Sequence, residues 1–184
     1  MDDNMTTTDL WLIGLRLDAD IACPTFYTLL IGEEQQPLIR DQQLVMCAEI
    51  GQFIDLSEGT DLGLSRQWLE QVEVELVCDI AEALYIVEQG DHDEDATVVN
   101  CLNTLFDLIK ATNGTIPAAY RQHIEDLADH TTFSKSVGDF FQSSTELRGV
   151  IIEGLVWCVG WVMTHAHIVN TRISLAEEHD SVGK

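Results

Sequence analysis

His123, Asp126 and His130 fall at i, i+3 and i+7 of a segment whose apolar residues Tyr120, Ile124 and Leu127 recur at helical spacing. On a helix the three flank that apolar face, and imidazole with carboxylate suits zinc or iron. A closed site needs further ligands, and none is identifiable elsewhere in the chain. Exposed or helix-capping histidines are the simpler reading, and no metal or other cofactor is expected. His165 and His167 stand two apart, on different faces of a helix, so they chelate only if their segment is extended.

Glu153 is the only formal charge between Arg148 and Arg172. Enclosed by apolar neighbours, its charged form would be desolvated, and the carboxyl could serve a catalytic or ligand-binding cavity. The plainer alternative is a side chain that reaches solvent or pairs with Arg148. The five cysteines, Cys23, Cys47, Cys78, Cys101 and Cys158, are scattered and mostly set among apolar residues. They read as buried thiols of a reducing compartment, with no adjacent histidine or cation to activate them. No phosphate-binding glycine loop, zincin helix, CxxC pair or nucleophile elbow occurs. The sequence therefore supports no particular reaction, and a binding protein is the better expectation.

Charge supplies the main clue to what is bound. The 184 residues hold 32 acids and 9 Lys or Arg, a formal net charge of -23. Without a basic stripe to neutralise phosphates or anionic headgroups, direct binding of nucleic acid or of a membrane surface is disfavoured. Between Arg66 and Lys110 there is no Lys or Arg at all, although acids run from Glu70 to Asp107. A helix spanning Ser65 to Glu88 would stack Glu75, Asp79 and Glu82 on one side, at i, i+4 and i+7. Such a row is a docking face for a cationic protein partner, because complementary potential speeds encounter and fixes register. A solvated face screened by salt is the bland alternative. An inhibitor imitating the phosphate rows of nucleic acid is the third reading. Asp91 to Asp95 begins like a calcium loop, but Ala96 and Leu102 stand where an EF-hand needs Gly and Glu. These acids read instead as partners for the positive end of the next helix.

The elements that must position these groups follow from periodicity. Residues 1–8 are polar and expected to be disordered, without the basic region and apolar run of a secretory signal, so cytoplasm is the expected location. Residues 9–60 alternate in short apolar runs separated by turn residues, which predicts a small antiparallel β region. From 61 to 173 the period becomes helical and predicts a bundle of about five helices, over 65–88, 95–112, 117–129, 135–142 and 144–170, before a flexible tail at 174–184. The fold class is α+β.

The last helix is apolar on nearly every side, yet Glu153, His165 and His167 interrupt it. That favours a central helix of a soluble bundle over a membrane span. Along it Gly149, Glu153, Gly160, Thr164 and His167 recur as a small, polar stripe. Small residues allow another backbone close approach, so the stripe is a candidate homodimer seam or cavity wall.

Overall fold

The computed structural model describes residues 9–57, 64, 66–142 and 145–169. Both expected tails lie outside the described residues, as do Ser65, Ser143 and Ser144 near the starts of two expected helices. Within the described residues a mixed seven-stranded sheet is joined to a C-terminal helical layer, an α+β fold.

The sheet begins as the alternating pattern requires. β1 (Leu10–Arg16) and β2 (Phe26–Ile31) pair antiparallel, with Leu10 opposite Ile31 and Leu15 opposite Phe26. Two short strands follow, β3 (Gln36–Pro37) and β4 (Ile39–Arg40), joined at Leu38. The Leu38 amide donates to the Leu29 carbonyl, and its own carbonyl accepts from the Val45 amide. The segment thus leaves β2 and crosses to β5 (Gln43–Cys47). Asp41 and Gln42 close this hairpin with φ of 51° and 66°, the left-handed pair that a two-residue turn needs.

Two strands come from segments that periodicity assigned to helices. β6 (Val74–Asp79) lies parallel to β1, and β7 (Ala166–Val169) lies parallel to β5. The sheet is therefore mixed, not antiparallel throughout. In place of one helix over 65–88 the chain forms α2 (Arg66–Gln71), β6 and α3 (Ile80–Gln89). Apolar residues at 69, 72, 76, 80, 83 and 87 fit a helix, but Val72, Val74, Leu76 and Cys78 also alternate. Pairing with β1 decides between the two periods. The break into α3 is fixed at Asp79, whose carboxylate accepts from the Glu82 amide at 3.1 Å and pairs with Arg16 at 2.7 Å.

Both faces of the sheet are covered. Leu12, Leu29, Val45 and Cys47 pack against Phe53 and Leu56 of α1 (Phe53–Ser57). Leu15, Leu44, Met46 and Cys78 face the helical layer. That layer consists of α3, α4 (Thr97–Ala111), α5 (Ala118–Phe133), α6 (Val137–Phe140) and α7 (Thr145–Thr164). α4 buries Val98, Cys101, Leu102, Leu105 and Ile109 along one stripe, as its sequence spacing requires.

α7 departs from the expected central pillar. Its most apolar stretch has a mean hydropathy of 1.5, but only 28% of that stretch is buried. Among the described residues it is the one helix long and apolar enough to cross a membrane. It packs on α3, α4 and α5 with Ile151, Leu155, Cys158 and Val162 inward, while Gly149, Glu153, Gly160 and Thr164 face outward. The helix also stops early. His165 turns its amide and Nδ1 to the Trp161 carbonyl, its ring stacks on Trp161, and the chain continues as β7.

The glycine that lets α7 approach a neighbour is Gly154. A Cβ there would stand 2.6 Å from Ile124 Cδ1 and 2.9 Å from Tyr120 Cβ of α5, whereas one at Gly149 or Gly160 would meet nothing within 4 Å. Gly154→Ala is therefore expected to destabilise the fold by about 1–3 kcal/mol through overpacking. Gly160→Ala should stabilise it by up to about 1 kcal/mol through helix propensity. Urea unfolding of the two variants checks both signs. Gln42→Gly, which relieves a left-handed non-glycine residue, is expected to raise stability by about 0.5–1 kcal/mol in the same assay.

Candidate functional site

The residues singled out by the acidic pattern do not form one row. Glu75 is exposed on β6, Asp79 is engaged at the β6–α3 junction, and Glu82 sits in the first turn of α3. The expected stack on a single helix face is thus broken by the strand. Asp93 is buried, and its two carboxylate oxygens accept from the Thr97 and Val98 amides at 2.6 and 3.0 Å. It serves the start of α4, as expected of acids at a helix N-terminus. Glu94 is paired with Lys135 at 2.8 Å. The hydrogen bond and the charge of the ammonium hold its carboxyl below the ordinary value and push the lysine up.

The other candidates disperse as well. Glu153 is exposed, so no apolar cavity encloses it; Arg148 instead donates to the Glu88 carbonyl and lies over the Phe141 ring. Gly149, Glu153, Gly160 and Thr164 share an open side of α7, with the Thr164 hydroxyl donating to the Gly160 carbonyl. His167 is exposed on β7, beyond the end of the helix, and leaves the stripe. On α5, Asp126 accepts from the Gln122 amide, and His130 is engaged by the Ser136 carbonyl and the Phe140 ring. His123 is half-buried. Among the described residues no three His, Cys, Asp or Glu side chains are grouped to hold a metal ion.

What the fold does assemble is a cleft between α4 and the β1–β6 side of the sheet. It begins with a bulge. Leu12 pairs with Val74 but Ile13 with Leu76, so Glu75 is an extra residue on β6. A bulge bends its strand and re-aims a side chain. Here Glu75 lines a cleft of about 310 Å³ whose apolar wall is Trp11, Ile13, Leu30 and Leu76. α4 supplies the polar wall through Asn100, Asn103, Thr104 and Asp107, which recur at i, i+3, i+4 and i+7. A second cleft of about 250 Å³ adjoins it through shared Leu30, Gln35 and Asp107, and includes Glu34 and Lys110.

Electrostatics and hydrogen bonding leave this cleft unsatisfied. Glu75 and Asp107 are exposed and have no ion pair among the described residues, where the two salt bridges join Arg16 to Asp79 and Lys135 to Glu94. The Thr104 hydroxyl is committed to the Asn100 carbonyl. The carboxamides of Asn100, Asn103 and Gln35 have no partner among the described residues. Carboxylates of this kind accept from ammonium or guanidinium groups, and each free carboxamide offers a donor and an acceptor to a peptide backbone. No Cys, His or Ser lines the larger cleft. The α4 half was readable in the sequence as a polar stripe beside the core stripe; the β6 half was hidden by the helical reading.

The thiols lie elsewhere. Cys47, Cys78, Cys101 and Cys158 are buried, and Cys23, contrary to expectation, is exposed. Burial pushes the Cys158 thiol up to about 12; burial and then the Asp55 charge do the same for Cys47. Cys101 is raised first by its hydrogen bond with Cys78 and then by burial.

No family profile and no curated protein matches the chain. Among solved structures it resembles the crystal structure of the SatS C-terminal domain in complex with bromine, at 12% identity and a TM-score of 0.51. The match covers 89% of this chain and 94% of that one. At this identity the likeness concerns the fold alone.

The thiol environments have a direct chemical readout. Iodoacetamide at mildly alkaline pH should alkylate Cys23 alone in the native protein, and all five cysteines in denaturant, as counted by intact mass. Rapid native labelling of a second thiol would show that the buried set is accessible.

Proposed function

We propose that this protein is a non-enzymatic, cytoplasmic binding protein that engages a cationic polypeptide at the cleft between α4 and the sheet. The supporting observation is that two carboxylates without an ion pair among the described residues, Glu75 and Asp107, share one concavity with an apolar wall and with carboxamides that have no partner among those residues. An apolar side chain of the partner fits against Trp11, Ile13 and Leu30, while its neighbouring Lys or Arg meets the carboxylates. The acidic surface beyond the cleft favours the same sign of partner at longer range, which raises association rate more than final affinity. In the same reading the open side of α7 around Gly149 and Gly160 receives a second copy of the chain. Gly160→Leu is then expected to convert dimer to monomer in sedimentation, and a monomeric wild type removes the dimer from the reading.

The cleft is tested with Lys- and Arg-rich peptides and fluorescence anisotropy. Glu75→Gln combined with Asp107→Asn is expected to weaken binding by about tenfold, equivalent to ~1.4 kcal/mol. Wild-type affinity should fall as salt rises, because the contributing charges are exposed. Unchanged affinity in the double variant moves the partner site away from this cleft.

A further inference from the structure

β6 hydrogen-bonds to β1 along one side, and among the described residues no strand pairs with its other side. A strand edge of this kind presents a row of backbone N–H and C=O groups that water or another chain must satisfy. Two clefts flank it on opposite faces of the sheet. The cleft beside α4 has been described; the second, of about 280 Å³, is lined by Leu10, Val72, Glu73 and Glu75, among others. Glu75, the bulged residue, lines both. Beyond the bulge, Leu76 to Asp79 run in regular register, and Val77 is 40% exposed.

We propose that β6 takes an extended cationic segment of another polypeptide as an additional strand. This deepens the function proposed above and rests on it. Successive side chains of an added strand point to opposite faces, which is where the two clefts lie. Its backbone satisfies the free edge, and its basic side chains meet Glu73 and Glu75. The same two glutamates decide the identity of the occupant. Exposed edges are commonly guarded by bulges and charges against pairing with copies of themselves. Here the guard is of one sign, on a chain of net charge -23. Acid opposite acid repels a second copy, whereas Lys or Arg opposite Glu is favourable. The edge is therefore closed to self-association and open to a basic strand.

The test uses the wild-type protein and three synthetic peptides. The parent alternates Lys with Val; the second is N-methylated at its central residues, which keeps charge and extended shape but removes the backbone donors; the third replaces Lys with Glu. Binding is read by anisotropy and by amide hydrogen exchange. Expected are binding of the parent, slowed exchange within residues 74–79, at least about a tenfold loss on N-methylation, and no binding of the Glu peptide. Equal binding of parent and N-methylated peptide, with exchange in β6 unchanged, overturns strand addition and leaves charge-based docking in the cleft standing. Equal binding of the Glu and Lys peptides overturns the charge selection. Failure of the parent to bind at all removes both the added strand and the cationic-partner reading beneath it.

Discussion

β1 must be covered on every side, and most of the architecture answers that requirement. Leu12, Ile13 and Leu15 are each at most 4% exposed, although they point to opposite faces of the sheet. One face is closed by Phe53 and Leu56, the other by the helical layer, one edge by β2 and the remaining edge by β6. Leaving the last edge open would strand the backbone groups of a buried strand, each costing roughly 1–3 kcal/mol. The chain therefore has to return to β1 after β5, and the residues that do so must be extended. This is why a segment with a respectable helical period is not a helix.

The contest at 65–88 is instructive because both periods are present in the same residues. Leu76 and Ile80 belong to the helical set, while Val74, Leu76 and Cys78 belong to the alternating set. Local spacing cannot choose between them, since the deciding energy is the non-local pairing with β1. Where no such competitor exists, the period was sufficient: α4 ends within a residue or two of its expected limits, and α5 starts beside Pro117. The end of α7 repeats the first lesson. The expected helix runs on to residue 170, but β5 offers an edge that Ala166 to Val169 can pair with, and the helix stops at Thr164.

The same non-local decision explains which parts of the cleft were legible. The α4 stripe of Asn100, Asn103, Thr104 and Asp107 depends on helical spacing alone, so its common side follows directly from the sequence. Glu75 depends on the register of β6 against β1, including a bulge that no local pattern announces. The glycines carry a related ambiguity. Gly149, Gly154 and Gly160 look alike in sequence, yet Gly154 alone meets α5, because which side of α7 faces inward is set by the packing of the whole layer.

The acid-only stretch, which looked uniform, divides into groups with different work. Asp79 and Asp93 each satisfy backbone amides at the start of a helix, Asp79 also balances Arg16, and Glu94 holds Lys135. Their charge is spent within the fold. Glu73, Glu75 and Asp107 have no such partner among the described residues, and they gather where the sheet edge and the cleft meet. Repulsion among exposed carboxylates is small for each pair, of order 0.2–0.5 kcal/mol, and salt reduces it further. A fold can carry that cost across a whole surface without losing stability. At a strand edge left unpaired among the described residues, the proposed return on that cost is discrimination: a neutral or mixed-charge guard would leave identical copies free to pair there, while an acidic one would disfavour that pairing and still admit a chain of opposite sign.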